Sequence, residues 1–200
     1  MASFRHIVVR GDRLLICGIS LVLALSIVCN VNLFAQNSTK DKHIDRLQKE
    51  LDDQQADIDK LGNLYQVPPE QAKHIVRTVY RETRGTEFEP SLVLGMMAVE
   101  SFFDQFAVSN KCAIGLLQIH CIWVPKLQLK SWRDLFDTRT NVRVALDIMA
   151  EYKRDYGPYW LLAYNRGPGN VLADLLHRKN PDNGYPAAVR HEKCRISVCT

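Results

Sequence analysis

Little in these 200 residues alternates with period two, no segment repeats another, and no stretch is of low complexity. The first absence argues against a sheet-based fold, and the others against a solenoid or a flexible tail. Charge of one sign is scarce as well. The net charge is +4, spread as three arginines against one aspartate in residues 1–35, five basic against seven acidic side chains in residues 36–64, and 18 against 14 in the remainder. No basic cluster stands out, which excludes a nucleic-acid surface and leaves a weakly basic globular part compatible with an anionic polymer. The cysteines lack the close spacing of a zinc site, and no metal or other cofactor is expected.

What is present is unevenly distributed. Residues 14–35, LLICGISLVLALSIVCNVNLFA, carry no charge, and only Asn30 and Asn32 are strongly polar. About 20 apolar helical residues cross a bilayer, so the stretch is long enough to span. A soluble helix would show a polar face within every two turns. Arg5, Arg10 and Arg13 precede it, which places residues 1–13 in the cytoplasm and exports everything after residue 35. A cleaved signal peptide is the competing reading. Bulky Leu33 makes a poor cleavage site, so an uncleaved single-pass anchor in the inner membrane is expected, with the remaining chain in the periplasm or cell-wall space.

Residues 36–65 are rich in charge and amides. Ile44, Leu47, Leu51, Gln54, Ile58, Leu61 and Tyr65 recur at alternating steps of three and four, a heptad seam. Such a helix can self-associate, bind a partner helix, pack on the domain that follows, or stand as a solvated spacer. If helical throughout, it would reach roughly 40 Å. Val67-Pro68-Pro69 closes it.

From residue 66 to 200 the pattern is globular and helical. Ala72, Ile75, Val76, Val79 and Tyr80 stripe a helix from Pro69 to Arg84. The next helix, opening at Pro90 or Ser91, is apolar nearly all round and should be buried. Glu100 closes it. A carboxylate at the negative end of a helix dipole, among apolar neighbours, should hold its proton to an unusually high pH. Gly115-Leu116-Leu117-Gln118-Ile119 suggests a tight backbone segment. A helix over Asn141–Tyr156, an aromatic stretch over Tyr159–Tyr164, a loop over Asn165–Gly169 and a short helix over Val171–His177 follow. The fold class is mainly α.

Three segments together resemble the motifs of the soluble-lytic-transglycosylase (SLT) family, which has a lysozyme-like fold. They are Val99-Glu100-Ser101-Phe102-Phe103, ending at Ala107-Val108-Ser109, then Gly115-Leu116-Leu117-Gln118-Ile119, and Ala163-Tyr164-Asn165-Arg166-Gly167-Pro168-Gly169-Asn170-Val171. Asn141 and Tyr185 fall where that family has a helix-opening Asn and a closing segment. The resemblance covers residues 66–192 and implies cleavage of the β-1,4 bond between N-acetylmuramic acid and N-acetylglucosamine in peptidoglycan glycan strands, without water. It implies Glu100 as the catalytic acid and then base, Tyr164 as its hydrogen-bond partner, and Gln118, Asn165 and Ser101 as substrate-binding residues. Arg166 departs from the family's small residue and is expected either to meet a stem-peptide carboxylate or to lie exposed. Asp104 is the acidic side chain nearest in sequence to Glu100. Were it across the cleft, a lysozyme-type hydrolase would be the better reading, since hydrolases use two carboxylates. An inactive peptidoglycan-binding or scaffold protein is the third reading, and the intact motif residues argue against it.

Cys17 and Cys29 lie in the apolar block and are expected to be inert. Cys112, Cys121, Cys194 and Cys199 allow three pairings in an oxidising compartment, and the local pairing, Cys112–Cys121 with Cys194–Cys199, is expected.

Overall fold

The computed structural model describes residues 34, 36, 38–126 and 128–197. The chain divides into two compact units, Met1–Leu51 and Asp52–Thr200. In the first, residues 38–51 are helical, with Ile44, Leu47 and Leu51 exposed. The expected membrane segment, residues 14–35, lies outside the described residues apart from Phe34. Among the described residues no helix is long and apolar enough to cross a membrane.

The second unit is mainly helical. It begins with helical residues 52–65 (α1), followed by α2 (Pro69–Thr83) and α3 (Pro90–Ser101). A two-stranded hairpin of β1 (Ala113–Ile114) and β2 (Ile119–His120) comes next, with Ala113 opposite His120 and Ile114 opposite Ile119. After α4 (Trp123–Lys126) and a short 3-10 turn (Trp132–Phe136) come α5 (Thr138–Tyr156), α6 (Trp160–Arg166), α7 (Pro168–Leu176) and α8 (Tyr185–Ile196).

The helices begin where their sequence allows. Pro occupies the first turn of α2, α3, α7 and α8, where its missing N–H costs no hydrogen bond. Asp137 caps α5 by accepting from the Thr140 amide at 2.8 Å. Thus α5 opens three residues before Asn141, and Asn141 lies inside it, wholly buried. The loop expected over Asn165–Gly169 is reduced to one residue. Gly167, at φ +81°, turns the chain directly from α6 into α7, and Pro168 serves as the first residue of the new helix.

The lower half of the heptad seam belongs to the core of this unit. Leu61 is completely buried and Tyr65 nearly so, and Ile58 packs against the same cluster. Asp57 beside them is buried too. It accepts hydrogen bonds from the Tyr80 and Ser197 hydroxyls, both at 3.0 Å, and burial raises its pKa above the ordinary carboxylate value. Tyr65 donates to Glu192 on α8, and its ring meets Phe103 edge-on at 4.9 Å and Phe102 at 5.3 Å.

As the near-uniform apolarity of its sequence predicts, α3 is buried from Val93 to Ala98. It runs against α8 at a distance only glycine permits. A Cβ on Gly95 would lie 2.8 Å from the Lys193 nitrogen and 2.9 Å from the Val189 carbonyl oxygen, both backbone atoms. With Gly95 against residues 189–193 and Glu100 against Tyr185, the two helices run antiparallel. Gly95→Ala therefore forces them apart. It should destabilise the fold by about 1 to 2 kcal/mol despite alanine's better helix propensity, as measured by urea unfolding. An unchanged midpoint would mean that α8 is not seated on α3.

Candidate active site

The chain leaves α3 through two consecutive non-glycine residues in the left-handed region, Phe102 (φ 56°) and Phe103 (φ 63°). That conformation is uncommon for bulky side chains and must be held by its surroundings. Phe103 is buried under Tyr65, and its carbonyl accepts from Gln71 on α2 at 3.2 Å. The abrupt stop leaves Glu100 and Ser101 on the last turn of the helix.

Residues 115–118 form the tip of the hairpin and have no helix or strand partners for their backbone. The Gly115 amide donates to the Ala107 carbonyl at 2.9 Å and the Gln118 amide to the Gly115 carbonyl at 3.1 Å, and side chains supply further partners. Ser101 Oγ donates to the Leu116 carbonyl at 2.8 Å. Tyr164 donates to the Leu117 carbonyl at 2.8 Å. Asn141 accepts from the Leu117 amide at 2.9 Å and donates to the carbonyls of Ile114 (3.0 Å) and Leu135 (2.8 Å). Gln118 Nε2 donates back to the Gly115 carbonyl at 3.0 Å and to that of Ala107 at 3.3 Å. Gly115 is required twice over, by its φ of +76° and because a Cβ would come within 2.5 Å of both the Asn141 amide and the Leu135 carbonyl. A disulfide between Cys112 and Cys121, the expected pair, closes the base of the hairpin with a Cα–Cα distance of 5.6 Å. Cys194 is disulfide-bonded also, and Cys199 lies outside the described residues.

A cleft of about 520 Å³ opens beside this hairpin. Glu100, Gln118, Tyr164 and Asn165 all line it, as the motifs imply, with Trp123, Ile148 and Tyr152 adding apolar surface. Ser101 does not line it. Its hydroxyl is committed to backbone carbonyls, which makes it a brace for the hairpin instead of a substrate ligand. Tyr164 lines the cleft but does not hydrogen-bond Glu100, because its hydroxyl is spent on Leu117. The phenol that reaches Glu100 is Tyr185, from the first turn of α8, donating to Oε1 at 2.5 Å. Its place in the closing segment of the motif pattern was the available signal, but nothing local to Tyr185 announces a partner 85 residues away. Asn165 accepts from the Asn183 side chain at 2.8 Å, which leaves its own amide hydrogens for a ligand. Arg166 does not face solvent freely. It pairs with Asp174 at 2.7 Å and donates to the Pro181 carbonyl at 2.5 Å. Asp104 is exposed, caps the turn at Phe106, and does not line the cleft. Among the described residues, Glu100 is the only carboxylate that does.

The electrostatics follow from burial. Desolvation pushes the Glu100 carboxyl up to about 7, and the Tyr185 hydrogen bond, which favours the ionised form, works against it. Tyr164 and Tyr185 are held as neutral phenols by burial first and by the nearby Glu100 charge second. The cleft thus presents one poised acid, two neutral phenols and side-chain amides. That apparatus suits protonation of a glycosidic oxygen in a carbohydrate held by hydrogen bonds.

The transglycosylase SLT domain matches residues 77–184, more than half of the chain. The protein belongs to this family, the SLT-type lytic transglycosylases of the lysozyme-like superfamily, whose general chemistry is lytic cleavage of peptidoglycan. No curated protein matches the chain.

Two measurements probe the acid. A carboxyl raised from 4.5 to about 7 on folding binds its proton more tightly in the native state, so stability falls as pH rises through that window. Glu100→Gln removes the effect. The variant should match the wild type below the lower value and exceed it above pH 7, by at most about 3 kcal/mol. Parallel stability–pH curves would show that Glu100 is not held up by burial. Tyr185→Phe removes the hydrogen bond that favours the carboxylate, so the Glu100 carboxyl, followed by its 13C shift, should titrate higher than in the wild type. A downward move would exclude Tyr185 as its partner.

Proposed function

We propose that the protein is a membrane-anchored lytic transglycosylase that cleaves the MurNAc-β-1,4-GlcNAc bond without water. The observation that supports this best is that, among the described residues, Glu100 is the one carboxylate lining the cleft, and burial pushes its carboxyl up to about 7. In the first step protonated Glu100 gives its proton to the glycosidic oxygen. The bond from that oxygen to the muramic-acid anomeric carbon breaks, leaving positive charge on the sugar. In the second step the Glu100 carboxylate takes the proton of the muramic-acid 6-hydroxyl, and that oxygen bonds to the anomeric carbon. The products are a free GlcNAc 4-hydroxyl and a 1,6-anhydromuramyl end, and Glu100 is again protonated. Because the substrate supplies the nucleophile, no second carboxylate is required, whereas hydrolysis with retention or inversion uses two. A pKa near the working pH lets one group act in both directions.

Gln118, through its side-chain oxygen, and the Asn165 amide bind sugar hydroxyl and acetamido groups in this scheme. Tyr185 holds the acid in register, and Tyr164 acts at one remove by fixing the Leu117 backbone. The uncharged segment of residues 14–35 and the arginines before it support an inner-membrane anchor with the catalytic unit exported. The exposed Ile44, Leu47 and Leu51 support a self-associating or partner-binding helix between the two.

Digestion of purified peptidoglycan followed by mass spectrometry tests the chemistry. Muropeptides one water lighter than the hydrolysis products are expected from the wild type and none from Glu100→Gln. Reducing, hydrated ends would make the enzyme a hydrolase, and cleavage retained in Glu100→Gln would displace Glu100 from its role.

A further inference from the structure

The charge balance of the cleft leaves one cation without a counterpart. The charged side chains lining it are Glu100, Lys111 and Arg166, with His120 titratable. Arg166 is neutralised by Asp174. Glu100 begins the proposed reaction protonated. Lys111 is exposed, and its side chain has neither an ion pair nor a hydrogen bond among the described residues. Its backbone, by contrast, is firmly held. The Lys111 amide donates to Ser109 Oγ at 3.2 Å, the same oxygen accepts from the Ala113 amide at 3.0 Å, and the neighbouring Cys112 is bonded to Cys121. An ammonium on a rigid base, in a cleft whose other fixed cation, Arg166, is already paired, selects for an anion.

The glycan backbone of peptidoglycan is uncharged, and its anionic groups are carboxylates on the muramyl side chain. We propose that Lys111 is a specificity-determining residue that binds a carboxylate carried by the muramyl lactyl-peptide branch. Arg166, the residue that sequence alone offered for this task, is occupied elsewhere. The inference rests on the reading of the cleft as a glycan-strand site. Two sources share the chemistry, the stem-peptide carboxylates and the lactyl carboxylate left when the stem is removed.

The test uses the full chain in detergent, with binding measured on a Glu100→Gln background and cleavage on the active enzyme. Native peptidoglycan strands are compared with strands whose carboxyls have been converted to amides. Native strands should bind and react better by about threefold to fivefold, the size of one exposed charge contact. Lys111→Met should bring that ratio to near one, and Lys111→Arg should restore it. Strands stripped of stem peptides keep only the lactyl carboxylate. A Lys111→Met loss as large there as on native strands assigns the contact to the lactyl group, and no loss there assigns it to the stem. A ratio unmoved by Lys111→Met, with binding and cleavage intact, overturns the proposal and leaves the proposed activity standing. Absence of both strand binding and cleavage overturns the two together.

Discussion

The backbone of residues 115–118, with the Ile114 carbonyl beside it, finds its hydrogen bonds outside helix and sheet ladders, and the site is arranged around that requirement. An unpaired buried amide or carbonyl costs about as much as a lost hydrogen bond. Here α3 sends Ser101, α5 sends Asn141 and α6 sends Tyr164 to satisfy those groups. Three helices are thereby pinned to one short segment, and the cleft wall is the surface they leave. Residues that look like ligands from their place in a motif turn out to be the fasteners of the wall from which ligands would be bound.

The second arrangement is electrostatic. Because α3 and α8 touch through Gly95, the start of α8 reaches the end of α3, and a neutral phenol lies against the acid. Burial on one side and a single hydrogen bond on the other oppose each other at Glu100. Their difference, and neither alone, sets the proton affinity. A site with a second carboxylate would add charge repulsion to this balance, and Asp104 is kept away by capping its own turn.

Much of this was legible in the sequence, for stated reasons. The near-uniform apolarity of residues 92–99 announced a buried helix, and an acid at its end announced a shifted pKa. The Cys112–Cys121 bridge followed from proximity. What escaped reading was tertiary. Tyr164 and Tyr185 are both tyrosines of the motif pattern, and only the crossing of α3 and α8 decides which hydroxyl meets Glu100. Residues 165–169 look like a loop because Gly and Pro punctuate them, yet Gly167 alone makes the turn and Pro168 starts a helix. The heptad pattern of residues 44–65 is continuous in sequence, and its two halves differ. Ile44, Leu47 and Leu51 are exposed, whereas Ile58, Leu61 and Tyr65 join the domain core. Period alone carries no information about where a helix changes its neighbours.

The strained exit from α3 is held from a direction that the family match does not include. Tyr65 covers Phe103 and Gln71 donates to the Phe103 carbonyl, both upstream of residue 77 where the match begins. The turn that follows Glu100 and its brace thus lie on opposite sides of the family boundary. The transferable module is longer than its sequence signature. A transplanted cleft has to carry α1 with it, and recombination at the signature's edge would separate the acid from the support that shapes its helix end.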